Sequence, residues 1–253
     1  MATTKHHVLW AGVVVALWAL ATSPASAQQT VRVGVATIGA PFSFHDDATN
    51  KDQGLMVDLI NEIGKTANLK LQLQPTTYAS ILQALITSKI DVIAATLPVT
   101  PQLKMQIGYS QTVYTDFDAL IVTKSDSTQY ATYDDLKGKV LGLQKGIVPL
   151  TSLHTDLYPK IRIYDGGPDV MRALVAGDVD VGVANRSIAG YQLMIGAFPT
   201  LQLVPSFKPT TFGDIAFGLR KDDARLTGIL DDALSKVRAA GTLQTILEKW
   251  GVQ

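Results

Sequence analysis

ALITSKIDVIAA, residues 84–95, and ALVAGDVDVGVA, residues 173–184, line up position by position. Each reads as the end of a helix, a turn, an aspartate and a buried strand. Upstream of the first copy, Val31, Val33 and Val35 alternate with smaller or polar residues, and Leu69, Leu71 and Leu73 do the same in LKLQLQ; period two marks strands. Between them Leu55, Leu59, Ile60, Ile63 and Ala67 recur at helical spacing, as do Ile81, Leu82, Leu85 and Ile86 before an apolar strand over 90–97. The order is β-α-β-α-β. It resumes with strands near 140–143, 161–164 and 179–184, separated by helix-like segments over 148–158 and 168–176. Alternation of this kind predicts mostly parallel sheets covered by helices. The repeated unit makes two similar α/β lobes the economical reading, against a chance likeness of two ordinary helix-turn-strand units.

The last forty residues fix how the lobes connect. IAFGLRK at 215–221 reads as a strand, followed by helices over 223–240 and 242–250 punctuated by Gly241. If the central segment is one lobe, this tail packs on the other, and the chain crosses between them twice, near 113–118 and 209–214. The expected division is 28–115 with 212–253 for lobe 1 and 118–209 for lobe 2, hinged around a cleft.

Residues 1–27 read as a cleavable leader. Lys5, His6 and His7 precede an apolar run from Val8 to Ala21, shorter than the ~20 residues of a spanning helix, and Ala25-Ser26-Ala27 suits cleavage before Gln28. An uncleaved anchor is the alternative. There is no cysteine, hence no disulfide frame, thiolate site or lipid-attachment residue after the leader. Lysine plus arginine equal aspartate plus glutamate at 22 each, so no basic face draws the chain to nucleic acid. After the leader only His45 and His154 remain, with no HExxH, GxSxG, Walker or GxGxxG pattern. No catalytic residue, metal or cofactor is expected. Thr100-Pro101 is a helix start, threonine accepting a backbone N–H and proline occupying the first position.

PFSF at 41–44, GLMVDL at 54–59, ALITSKIDVIAA, VTPQLKMQIGYS at 99–110, DLKGKVLGLQKG at 135–146, ALVAGDVDVGVAN at 173–185 and AAGTLQTILEKWG at 239–251 occur in an order and spacing that resemble the family-3 bacterial solute-binding proteins, the polar amino-acid-binding proteins of ABC importers. The resemblance spans essentially the whole chain after the leader. It implies a type II periplasmic-binding-protein fold: two lobes, each a mixed, mostly parallel sheet flanked by helices, joined by two hinge strands that close on a small-molecule ligand. It also implies a monomer in the periplasm that delivers its ligand to an inner-membrane ABC permease.

The ligand residues of similar proteins carry over poorly. The arginine that follows Thr-Pro and forks onto an α-carboxylate is Leu103 here; Lys104 would point about 100° away on a helix. The hydroxyl residue after Gly146 is Ile147, and the aspartate that accepts the α-amino group is Asn185. Ala36, Gly39 and Leu55 replace an aspartate and two aromatics, and Pro98 replaces a hydroxyl donor. Tyr78 persists, and Thr96 and Gln144 remain polar. Thr37, Tyr78, Thr96, Leu103, Gln144, Ile147, Asn185 and Arg186 are the expected ligand-contacting positions, Arg186 being the one cation placed to reach the cleft. This set suits an amino-acid derivative or a less polar solute. Two other readings stay open: a dehydratase-like enzyme on the same scaffold, using Asp116, Asp118 or Asp214 unless these are hinge surface, and a periplasmic accessory protein or sensor partner.

Overall fold

The computed structural model describes residues 28–210 and 212–252, together with Ala2. The expected leader and its cleavage site therefore lie outside the described residues, Ala2 apart.

The chain begins with β1 (Thr30–Ala36), a β2 (Phe44–Asp46) and β3 (Lys51–Gln53) hairpin, α1 (Leu55–Thr66), β4 (Lys70–Thr76), α2 (Tyr78–Ile86), β5 (Val92–Ile93), α3 (Pro101–Lys104) and β6 (Gly108–Tyr109). A long strand, β7 (Tyr114–Thr123), leads to β8 (Val140–Gln144), β9 (Lys160–Tyr164), α4 (Gly167–Ala176), β10 (Val181–Asn185), α5 (Arg186–Met194) and β11 (Leu201–Leu203). The chain returns through β12 (Phe212–Ile215) and β13 (Gly218–Leu219) and ends in α6 (Ala224–Ala239) and α7 (Thr242–Lys249).

Two sheets result, ordered β4-β1-β5-β13-β6 and β9-β8-β10-β7-β11. Written this way they are the same sheet twice. Along each of these orders two pairings are parallel and two antiparallel, and β12 adds a third antiparallel pairing, to β7, in the second sheet. The antiparallel ones all involve β13 or β7, the strands that enter each sheet from the hinge instead of through a covering helix.

The repeated sequence unit has a physical basis in both copies. Ser88 (φ 56°) and Gly177 (φ 75°) end α2 and α4 in the left-handed conformation, and the next amides, Lys89 N–H and Asp178 N–H, return to the carbonyls of Ala84 and Ala173 at 2.9 Å each. Asp91 then accepts the backbone N–H of Arg32 at 3.0 Å, and Asp180 that of Val140 at 2.7 Å. Each carboxylate thus pins the start of a neighbouring parallel strand, β1 or β8. Asp91 carries three further bonds, two from the Arg32 guanidinium and one from Arg220, and these arginines hold it below the usual carboxylate range although burial opposes them.

Two sequence expectations are modified. The segment 148–158 forms two 3-10 turns, Leu150–Ser152 and Thr155–Leu157. Proline at 149 and 159 brackets it, and Ser152 Oγ bonds back to the Pro149 carbonyl at 2.7 Å, competing with helical pairing. Of the strand expected over 90–97, only Val92–Ile93 pairs as a strand, because the chain folds on itself where Leu97 N–H reaches the Ala95 carbonyl, just before Pro98.

The C-terminus joins the two halves. Trp250 donates from Nε1 to Asp58 of α1 at 2.8 Å, beside the Lys249 to Asp58 ion pair at 2.7 Å. Its ring lies 5.9 Å edge-on from Phe44 and 6.0 Å from Tyr191 of α5. Behind it the Gly251 carbonyl lies so near Gly190 that a Cβ there would sit 2.3 Å from the oxygen. Helix propensity alone favours alanine over glycine by about 1 kcal/mol, but a backbone carbonyl at this distance reverses the sign. Gly190→Ala should lower the melting temperature, whereas Gly228→Ala in α6, with nothing within 4 Å, should raise it by a few degrees. Thermal unfolding of the two variants checks both signs.

Candidate functional site

A cleft of about 400 Å³ opens where the two sheets meet. The first half contributes Phe42, Tyr78, Thr96 and Pro98, and the second Gly146, Ile147 and Asn185. Its floor is the hinge ribbon, in which β7 and β12 pair antiparallel, Asp116 opposite Gly213 and Ile215 opposite Tyr114. Thr115 Oγ1 also donates to Asp214 across the ribbon at 2.7 Å. The cleft is therefore bounded by both lobes and by the segments that connect them.

Of the eight expected positions, four line the cleft together: Tyr78, Thr96, Ile147 and Asn185. Tyr78 is the first residue of α2, whose start is fixed by Thr77 accepting from Ser80 N–H at 3.3 Å, and it remains 46% exposed. Thr37 is exposed at the end of β1 and is not among the cleft-lining residues. Leu103 also lies outside it. Thr100 caps the single turn of α3 by accepting from Leu103 N–H at 3.2 Å, and the Leu103 side chain packs on the apolar cluster of Ile81, Leu85 and Ile107. Gln144 acts behind the wall, its Oε1 accepting the backbone N–H of Asn185 at 3.0 Å. Arg186 lines a neighbouring groove with Asp118, Val204 and Phe207, its guanidinium 5.2 Å above the Phe117 ring.

Asp116 and Asp118 are the residues that sequence reasoning placed as hinge surface or as acids of an alternative enzyme. They are buried, 8% and 1% exposed, and both line the cleft. Their signal in the sequence is two carboxylates at i and i+2 inside YTDFDALIV, which a strand aims to one face. Asp118 accepts from Tyr133 Oη at 2.5 Å and from Thr210 N–H at 3.0 Å. Burial, and after it this bond, raise the Tyr133 phenol far above its ordinary range.

Asp116 is held from the second half of the chain, at the junction of β10 and α5. Asn185 Nδ2 donates to its Oδ2 at 2.8 Å, and Ser187 Oγ to its Oδ1 at 2.9 Å. Phe117 N–H also donates to Oδ1, at 3.0 Å. The same Asn185 amide also caps α5, its Oδ1 accepting Ile188 N–H at 3.0 Å. All these donors to Asp116 are neutral. Burial pushes its carboxyl above the ordinary aspartate value, and the hydrogen bonds only partly oppose that.

The profile of bacterial extracellular solute-binding proteins, family 3, matches residues 31–253. The chain belongs to this family. It is 30% identical over 262 residues to the lysine/arginine/ornithine-binding periplasmic protein of Escherichia coli K12, covering 97% of this chain and 96% of the relative. An ancestral cationic amino acid solute-binding protein superposes with a TM-score of 0.75 at 27% identity, over 88% of this chain and 95% of that one. The L-cystine solute receptor of Neisseria gonorrhoeae shares the fold, with a TM-score of 0.78 at 16% identity over 89% and 94% of the two chains. The architecture is the type II periplasmic-binding-protein fold, and the chain is a substrate-binding protein of an ABC transporter.

A raised native pKa means that the folded state binds more protons than the unfolded one between the ordinary and the shifted values. The contribution of Asp116 is therefore fully present below the unfolded value and is lost as pH rises through the folded one. Asp116→Asn removes that slope, while setting two amide NH₂ groups against each other at a cost of about 1–3 kcal/mol. Denaturant unfolding across acid to neutral pH should show the stability gap between wild type and Asp116→Asn narrowing as pH rises; a gap that widens contradicts the assignment.

Proposed function

We propose that the chain captures one small solute in the cleft, closes over it by bending at 113–118 and 209–214, and presents it to an inner-membrane ABC permease from the periplasm. In this reading lobe 1 is 28–115 with 212–253, and lobe 2 is 118–209. The observation that carries it is the cleft itself, whose walls come from both sheets and whose floor is the hinge ribbon. A solute touching Tyr78 and Thr96 on one side and Ile147 and Asn185 on the other stabilises the closed form by its differential contacts. In this reading the protein acts as a monomer and binds without turnover; that its relatives are named as binding proteins supports the second point.

The solute is not an ordinary α-amino acid. Leu103 is turned into an apolar cluster and Arg186 onto Phe117, so neither supplies a clamp for a carboxylate. Asn185 stands where similar proteins hold the amino group with a carboxylate. Each charge-assisted hydrogen bond is worth about 1.5–3 kcal/mol. The loss of two weakens binding by roughly a hundredfold or more.

Calorimetry of the protein without its leader against the twenty L-amino acids should show no binding at micromolar affinity or better. A tight amino acid would overturn this part of the proposal. Native mass spectrometry of protein purified from its source should reveal one stoichiometric small molecule, and scattering should show the radius of gyration falling when that molecule is restored. A chain that carries no solute and never contracts would overturn the receptor reading itself.

A further inference from the structure

We propose that the cleft selects an organic cation with an apolar body and no carboxylate, and that Asp116 on the hinge strand receives its ammonium group. The inference rests on the receptor reading and names the class of solute. Among the described residues lining the cleft there is no lysine, arginine or histidine, while two carboxylates, Asp116 and Asp118, stand in its wall. The nearest cation in sequence, Arg186, is on the Phe117 ring and lines a different groove. The remaining walls are apolar or aromatic, with Phe42, Tyr78, Phe117 and Ile147 among them. Aromatic faces and carboxylates together attract organic cations. A solute carboxylate would find no cation to pair with and would face like charges.

Asp116 is the better receptor of the two acids. It lines the cleft and meets only neutral donors, the side chains of Asn185 and Ser187 and the backbone amides of Phe117 and Ser187, so no positive charge among the described residues is paired with it. Tyr114, two residues earlier on the same strand face, is buried with a hydroxyl that lacks a hydrogen-bond partner among the described residues, and the Asp116 charge reaches it. An ammonium with several N–H donors would supply the positive partner that the neutral donors around Asp116 do not.

The Asp116 and Asn185 pair also offers a charge swap that preserves the hydrogen bonds. In Asp116→Asn with Asn185→Asp, the new amide oxygen can accept from Ser187 and Phe117, its NH₂ can donate to position 185, and the new carboxylate can still cap Ile188. Only the charge moves, by about one hydrogen-bond length.

The test uses the protein without its leader and matched triads of amine, acid and L-amino acid on three bodies: butyl, cyclohexyl and phenyl. One triad is 2-phenylethylamine, 3-phenylpropionate and L-phenylalanine. Calorimetry should show at least one amine binding ten times or more tighter than its acid and its amino acid. Asp116→Asn should weaken that amine on the order of tenfold to a hundredfold, and the double swap should recover most of the loss. Equal amine affinity in wild type and a folded Asp116→Asn overturns the proposal, as does failure of the swap to recover binding when it melts like wild type. Tighter binding of an acid or amino acid overturns it while leaving the receptor reading intact. Binding of no probe also overturns it, and an anionic or zwitterionic solute carried from purification would then show that the receptor reading survives.

Discussion

A carboxylate buried in a hinge must be satisfied by groups that do not leave it when the hinge bends. Asp116 meets this constraint by taking its bonds from Asn185 and Ser187, at the start of α5, and from the amide next to it. The hinge strand is thereby fastened to one lobe, through the end of β10 and the start of α5, with Gln144 of β8 bracing the same junction from behind. The other lobe is attached through β12 and the turn at Pro98, which bridges Ile215. On the proposed closure, bending would fall on that second side, where exposed Thr115 and Asp214 join the ribbon by one hydrogen bond.

The fold was legible because its signals are local and repeated. A left-handed helix end followed three residues later by an aspartate is written twice in the chain, and both times it sets a parallel strand beside another. The double crossing was legible from the order of elements alone. What the sequence did not show is where short-range bonding interrupts a pattern. Apolar spacing over 148–158 suits a helix, but two prolines and a serine that bonds its own turn hold the chain in 3-10 turns; apolar residues over 90–97 suit a strand, but the chain bends after Ala95.

The site was only partly legible. Positions on the rims of the cleft, such as Tyr78 and Ile147, follow from their place in the order of elements. Thr37, Leu103, Gln144 and Arg186 do not line the cleft, because the direction of a side chain depends on packing that no spacing records: Leu103 finds an apolar cluster and Arg186 an aromatic face. Asp116 and Asp118 were visible as two acids in an apolar strand, yet acids are exposed in most proteins. Their burial depends on partners sixty-nine and fifteen residues away, Asn185 and Tyr133.

The chain has tryptophan at 10, 18 and 250, so a protein that starts at Gln28 has a single indole. That indole rests between Phe44, beside the first sheet, and Tyr191, on the helix that follows β10. Its ring is thus shared by the two halves, at a seam that the proposed hinge bending would shear. On the proposed closure, ultraviolet emission from this one indole would report the relative position of the halves in real time, without any dye attached to the protein.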